Sequence, residues 1–223
     1  MTHEQISHKI VTALHVAYPD ASIGVGGSVA EGTYREDSDI DILFLREGQT
    51  ESYSVSFVYE GIDISIFSFS MSFFNSNDRK YLYTYHNMPI TFISGVSVLY
   101  DEKRLIEEIR KIVDNLLERR SFLRELLIKD LKNGIEKLFN FQSQSVLERK
   151  RIYYDIIHSI VYIFFLKKYP DKIINKQYGR NPFTIIASED YYLYVNLKMC
   201  GCYTSFSFSK LKSLFENHIL TNY

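Results

Sequence analysis

Two aspartates separated by one residue, Asp39 and Asp41, stand at the head of the apolar run Ile40 to Leu45. A third, Asp63, stands near the head of a second such run, Gly61-Ile62-Asp63-Ile64-Ser65-Ile66. Alternate side chains of a strand leave the same face, so Asp39 and Asp41 project together, roughly 6.5 Å apart along the chain. Carboxylates held that close without a cation force one of them to protonate, and a divalent metal satisfies the pattern better. Asp63 is the natural third ligand, because an apolar strand has no packing use for a charge and the hairpin strand between can return it beside the first pair. Three such carboxylates can hold two Mg²⁺ ions, with Mn²⁺ as an alternative, about 3.5–4 Å apart. One ion lowers the pKa of an attacking hydroxyl and the other steadies a pyrophosphate leaving group. Charge stabilisation and in-line positioning then do most of the catalysis.

Ser28, eleven residues before Asp39, closes a Gly26-Gly27-Ser28 turn. Glycines let the backbone approach a ligand, and amides exposed at a helix start form an anion site. With the Ser28 hydroxyl as a further donor, the turn suits the β- and γ-phosphates of a nucleoside triphosphate while the carboxylates take its metal ions.

Strands must position these groups, and the chain supplies them. Thr2 and Gln5 make a capping-box pair ahead of Ile6, Ile10, Leu14 and Ala17 at helical spacing, and Pro19 ends that helix. A strand from Ser22 to Val25 runs into the glycine turn, Val29 to Gly32 gives one helical turn, and Tyr34 to Ser38 turns again. Three β-rich runs follow, Ile40 to Leu45, Tyr53 to Tyr59 and Ile62 to Phe69, the last two joined through Glu60-Gly61 as a tight hairpin. Residues 71 to 86 read as helical, and Thr91 to Ile93 with Val96 to Tyr100 as a small strand pair. From Asp101 the periodicity becomes helical, first through Leu105, Ile109, Ile112 and Leu116, then through Leu123, Leu127, Leu131, Ile135 and Leu138. Ser145 and Glu148 form a second capping box for a helix that stops before Pro170, and one or two helices follow between Glu189 and His218. The fold class expected is α+β: a mixed-sheet domain over residues 1–100, then an all-α domain over residues 101–223, with a cleft between them for an acceptor.

At the segment Gly26 to Leu45 and at Asp63 the chain resembles the polymerase β-like nucleotidyltransferase superfamily, whose signature is Gly-Gly/Ser, a spacer, Asp-x-Asp, and a later strand with a third acid. The resemblance covers residues 20 to 100, including Val98-Leu99-Tyr100-Asp101 ahead of the first long helix. It implies Gly27 and Ser28 as phosphate contacts, Asp39 and Asp41 as ligands to both metals, and Asp63 as ligand to the metal that activates the acceptor hydroxyl. Glu31 departs from the pattern, since many relatives carry Arg or Lys there; Arg35 and Arg79 are then the candidates to offset triphosphate charge. The architecture is similar to minimal antibiotic-type members, which implies transfer of a nucleoside monophosphate from ATP or another triphosphate to a hydroxyl of a small molecule. Toxin and antitoxin members share the signature, so a protein or tRNA acceptor is the alternative. A nucleotide-binding module without turnover is a third.

Composition agrees with an ordinary soluble globular chain of 223 residues, 46% hydrophobic and 24% charged. Its net charge of −1 hides a division, because residues 1–100 hold 12 acidic against 5 basic side chains and the remainder 15 against 21. An acidic half suits divalent metal and a basic half suits an anionic substrate. Cys200 and Cys202 are too few for a disulfide framework and are expected to be reduced. The longest near-apolar stretch, Ile160 to Leu166, is far below membrane-spanning length, and a cytoplasmic location with no membrane partner is expected. Secondary candidates are Asp155 with His158, one helical turn apart, and Arg180 in the loop at Gly179 to Pro182. His86 has no evident partner, Glu148-Arg149-Lys150-Arg151 reads as a solvated helix start, and Tyr153, Tyr154 and Tyr162 read as packing aromatics.

Overall fold

The computed structural model describes residues 1–76, 78–86, 88–143, 145–172, 174, 181–201 and 207–223, with the side chains at 75, 76, 78–80 and 201 outside that description. The chain forms two compact units, Met1–Tyr81 with Met88–Leu116, and Leu82–Asn87 with Leu117–Tyr223.

In the first unit, helix α1 (His3–Ala17) opens on the expected capping box: the Gln5 amide donates to Thr2 Oγ1 at 3.3 Å and the Thr2 amide to Gln5 Oε1 at 2.9 Å. The strands are β1 (Ser22–Gly26), β2 (Ile40–Leu45), β3 (Tyr53–Tyr59), β4 (Ile62–Ser68) and β5 (Ser97–Tyr100), in one sheet of order β3-β4-β2-β1-β5. Among the described residues β2 and β4 are the one parallel pair; the other pairs are antiparallel. Glu60 and Gly61 both take positive φ, 52° and 80°, the conformation a two-residue hairpin needs to match strand twist. That hairpin places β3 at the sheet edge and lays β4 against β2.

Alternation along each strand then separates two faces. Ile23 and Val25 of β1, Ile40, Ile42 and Phe44 of β2, and Ile64 of β4 pack with Ile6 and Val11 of α1 into one core. Each such buried side chain contributes about 1.5–3 kcal/mol. The opposite face carries the intervening residues, polar at one end and apolar at the other, where Phe67 meets Phe92 edge-on at 5.2 Å between centroids.

Phe92 belongs to helix α5 (Met88–Ser94), which corrects the strand expected over Thr91 to Ile93. Thr-Phe-Ile has high strand propensity, yet Ile90 and Ile93 stand one helical turn apart and are both buried, so tertiary burial overrides the local preference. Helices α3 (Met71–Ser76) and α4 (Asp78–Tyr83) lie in the region expected to be helical, and β5 follows Val96 as expected. Asp101 caps α6 (Leu105–Phe122) by accepting from the amides of Ile106 and Glu107, both at 3.2 Å.

Among the described residues the second unit is helical: α7 (Arg124–Asn140), α8 (Val146–Lys168), α9 (Phe183–Glu189), α10 (Tyr191–Gly201), α11 (Phe208–Leu214), a π-helical turn at Phe215–Ile219, and α12 (Leu220–Asn222). Ser145 caps α8 through the Glu148 amide at 3.3 Å, and Ile152, Ile156, Ile160 and Ile163 are all buried along it. Arg120 is only 1% exposed. Its guanidinium donates to the carbonyls of Pro170 (2.6 Å), Thr84 (2.8 Å), Tyr169 (3.1 Å) and Lys172. Burial lowers its pKa to about 10, so the group remains charged at neutral pH. Among the described residues no helix is long and apolar enough to cross a membrane.

Candidate active site

Strand pairing brings two of the three motif parts together directly. Gly26, the last residue of β1, stands opposite Asp41 across the antiparallel pair. The chain leaves that position through Gly27, whose φ of +63° lies in the left-handed region, and enters the short helix α2 (Gly27–Glu31). The left-handed backbone at Gly27 favours glycine, and a Cβ there would lie 2.7 Å from Asp41 Oδ2, so any side chain would have to push that carboxylate aside. Asp41 is buried at 8% exposure, with its carboxylate set against this turn. Ser28, half-buried in the first turn of α2, accepts the Thr33 amide on its carbonyl at 2.9 Å.

The third part arrives through the parallel pair. Ile40 stands opposite Ile64 and Asp41 opposite Ser65, so the register extended by one residue sets Asp63 beside Asp39. Paired residues share a face; Asp39, Asp41, Asp63 and Ser65 therefore lie on the side opposite the α1 core, at the end where β2 and β4 begin. Asp39 and Asp63 are exposed, and among the described residues neither carboxylate has an ion-pair or hydrogen-bond partner. The register sets the three backbones together without gathering the side chains: among the described residues no three His, Cys, Asp or Glu side chains form a group able to hold a metal ion. Like charges in adjacent positions repel, and the two exposed carboxylates are free to take separate rotamers. As a donor set, three carboxylates on one strand face fit a hard, oxygen-seeking divalent cation.

Arg35 lies in the turn just before Asp39, its amide donating to Ser38 Oγ at 2.9 Å and its side chain exposed. The Arg79 side chain and Arg180 lie outside the described residues, as does Cys202; Cys200 is a buried free thiol. Glu31 is exposed on α2.

Two contributors escaped the sequence reading. His3 is buried, and its Nε2 is 2.9 Å from the Ser38 carbonyl while its ring lies 4.9 Å from Tyr34, so the first turn of α1 anchors the loop that delivers Asp39. Nothing in sequence spacing signals a contact across 35 residues. Ser65, opposite Asp41 and 3.1 Å from Ser56 Oγ, was legible in the Asp63-Ile64-Ser65 alternation.

Other candidates lie in the second unit. His86 Nδ1 pairs with the Ile174 carbonyl at 2.9 Å, a packing contact. Asp155 and His158 are both exposed, with no hydrogen bond between them among the described residues. Residues 149–151 form an exposed helix start, and Tyr153 is buried with its hydroxyl donating to the Cys200 carbonyl at 2.8 Å.

Comparison with known proteins bears on this arrangement. A nucleotidyltransferase-like protein from Exiguobacterium sibiricum superposes on 98% of this chain and 76% of its own, with a TM-score of 0.52 and 10% identity, a likeness of fold. No curated protein matches the sequence. The family model for the nucleotidyltransferase domain matches residues 8–195, a span that takes in the glycine turn, both acidic strands and most of the helical part. By that match the chain belongs to the nucleotidyltransferase domain family.

Proposed function

We propose that this chain transfers a nucleoside monophosphate from ATP or another nucleoside triphosphate to a hydroxyl of a small-molecule acceptor, in a metal-dependent reaction that releases pyrophosphate. The observation that carries the reading is the register: Asp63 falls beside Asp39, and Asp41 falls against the Gly27 turn, so two acidic stretches and the glycine turn meet on one face of the sheet. In this reading the acceptor oxygen bonds to the α-phosphorus, the bond from that phosphorus to the bridging oxygen breaks, and the hydroxyl proton is released. Gly26, Gly27 and Ser28 bind the β- and γ-phosphates through backbone amides and the Ser28 hydroxyl. The exposed Arg35 side chain neutralises part of their charge. Asp39, Asp41 and Asp63 would hold two Mg²⁺ ions, which supply charge neutralisation and a lowered pKa at the attacking hydroxyl.

Purified protein incubated with Mg²⁺ and α-labelled triphosphates, alone, with aminoglycosides or lincosamides, and with tRNA, tests the proposal. Label on the small molecule is the expected result. Label on tRNA or on protein replaces the acceptor class, in line with the net charge of the basic half, and label nowhere favours a binding module. Asp41→Asn is expected to abolish transfer with the fold intact by circular dichroism; an undiminished rate removes Asp41 from the site.

A further inference from the structure

Helices α8, α9 and α10, with the segment at Tyr85, enclose a cavity of about 210 Å³ inside the second unit. Tyr85, Tyr154, Tyr162 and Phe183 give it a largely aromatic wall, and the exposed His158 marks its opening. Among the described residues no Asp, Glu, Lys or Arg lines it. Tyr85 is held by Phe165, whose ring stacks on it at 4.2 Å between centroids with 13° between planes, and Tyr162 lies 5.4 Å away at a tilt of 58°.

The hydroxyls distinguish this space from a packing gap. Burial raises the Tyr85 hydroxyl to about 12 and pushes Tyr162 up as well, so both keep their protons at neutral pH. Among the described residues neither hydroxyl has a hydrogen-bond partner. Both tyrosines are half-buried, so each hydroxyl stays available as a donor to an acceptor atom of a bound molecule. Mostly apolar walls with a few convergent polar groups are the composition of a small-molecule site. A cavity of about 150 Å³ accepts benzene, so this one has room for one ring or two fused rings.

We propose that this cavity binds an uncharged, planar heteroaromatic ring, seated among the tyrosine and phenylalanine rings with its acceptor atoms toward the Tyr85 and Tyr162 hydroxyls. Aromatic walls favour a flat ring through offset and edge contacts. With no carboxylate, ammonium or guanidinium among the described lining residues, a charged guest would be buried without a partner there, which is strongly disfavoured. The assignment stands apart from the transfer reaction, and its test uses neither metal nor triphosphate.

The probe is quinoline, titrated into full-length protein with ¹³C-labelled Ile, Leu and Val methyls. Saturable ring-current shifts are expected at Ile157, Val161 and Leu197, and none at Ile23 or Ile64 in the sheet. Val161→Phe, which fills the space, should remove them; Leu197→Phe serves if the first variant melts early. One of Tyr85→Phe and Tyr162→Phe, the one that removes the donor to the single ring nitrogen, should weaken quinoline by about three- to tenfold, while naphthalene, of the same shape without an acceptor atom, is unaffected by either. Absence of saturation up to the solubility limit overturns the site, as does full binding in a folded, filled variant. Equal loss for naphthalene and quinoline in the Tyr→Phe variants overturns the hydrogen-bonded orientation.

Discussion

Gly27 ties the glycine turn to the acidic strand, and its neighbour Gly32 allows that tie to be measured. Both hold left-handed backbone, at φ +63° and +68°, but a Cβ at Gly32 meets nothing within 4 Å whereas one at Gly27 meets Asp41 Oδ2. Gly32→Ala should therefore cost only the conformational strain, about 1–2 kcal/mol. Gly27→Ala carries the same strain and also displaces the carboxylate, so urea unfolding should show the larger loss and transfer activity should fall with it. Equal stability losses with activity retained in both would detach Gly27 from Asp41. A second residue-level prediction concerns Asp190. Partial burial pushes its pKa up, but hydrogen bonds from the Tyr223 hydroxyl, the Leu193 amide and His218 outweigh that and hold it below its ordinary 3.8. A depressed folded-state pKa means stability fully present above the ordinary carboxylate range and lost as pH falls through the folded value. Asp190→Asn should be less stable at neutral pH and show a flatter decline below about pH 4; parallel pH profiles for the two proteins would rule the contact out as a source of acid sensitivity.

Among the elements, β4 decides whether there is a site at all, since its parallel pairing with β2 brings residue 63 to residue 39. The two faces of this region should answer differently to truncation. Ile64, fully buried against α1, should lose about 2–5 kcal/mol on replacement by Ala. Val58, opposite Asp63 on the edge strand and 66% exposed, should change stability by no more than about 0.5 kcal/mol on the same replacement. A larger loss at Val58 than at Ile64 would mean the faces have been assigned the wrong way round. Much of this was legible in the sequence for a physical reason: Ile-Asp-Ile and Ile-Asp-Ile-Ser-Ile alternate with the period of a strand, and Glu60-Gly61 fits the positive φ its hairpin demands. Ser145 and Pro170 likewise bracket α8, although only the Ser145 half of the expected capping box forms, because the Glu148 side chain turns to the Ser143 hydroxyl instead. What local pattern did not carry was long-range partnership. Thr91-Phe92-Ile93 has the composition of a strand and becomes a helix because its burial partners are distant, and the hold of His3 on Ser38 has no signature in spacing.

At the scale of the whole molecule, the near-zero net charge is the sum of an acidic first hundred residues, at −7, and a basic remainder, at +6. If the proposed site takes a metal–triphosphate complex, the stabilisation belongs to the unit that carries the sheet, because a ligand that binds only the folded state adds RT ln(1 + [L]/Kd), about 2.7 kcal/mol at a hundredfold excess over Kd. Hydrogen exchange locates that gain, since local opening reports separately on each compact unit. Mg²⁺ with a non-hydrolysable triphosphate should slow exchange in peptides covering β1, β2 and β4 of the natural sequence and leave Asp41→Asn unchanged. Sodium chloride at the same ionic strength provides the control, because screening of the acidic half acts without regard to Asp41. Protection that appears equally in the variant, or equally with salt alone, would show that the acidic face responds to ionic strength rather than to a bound cation, and the metal-dependent reading would fall while the family assignment stood.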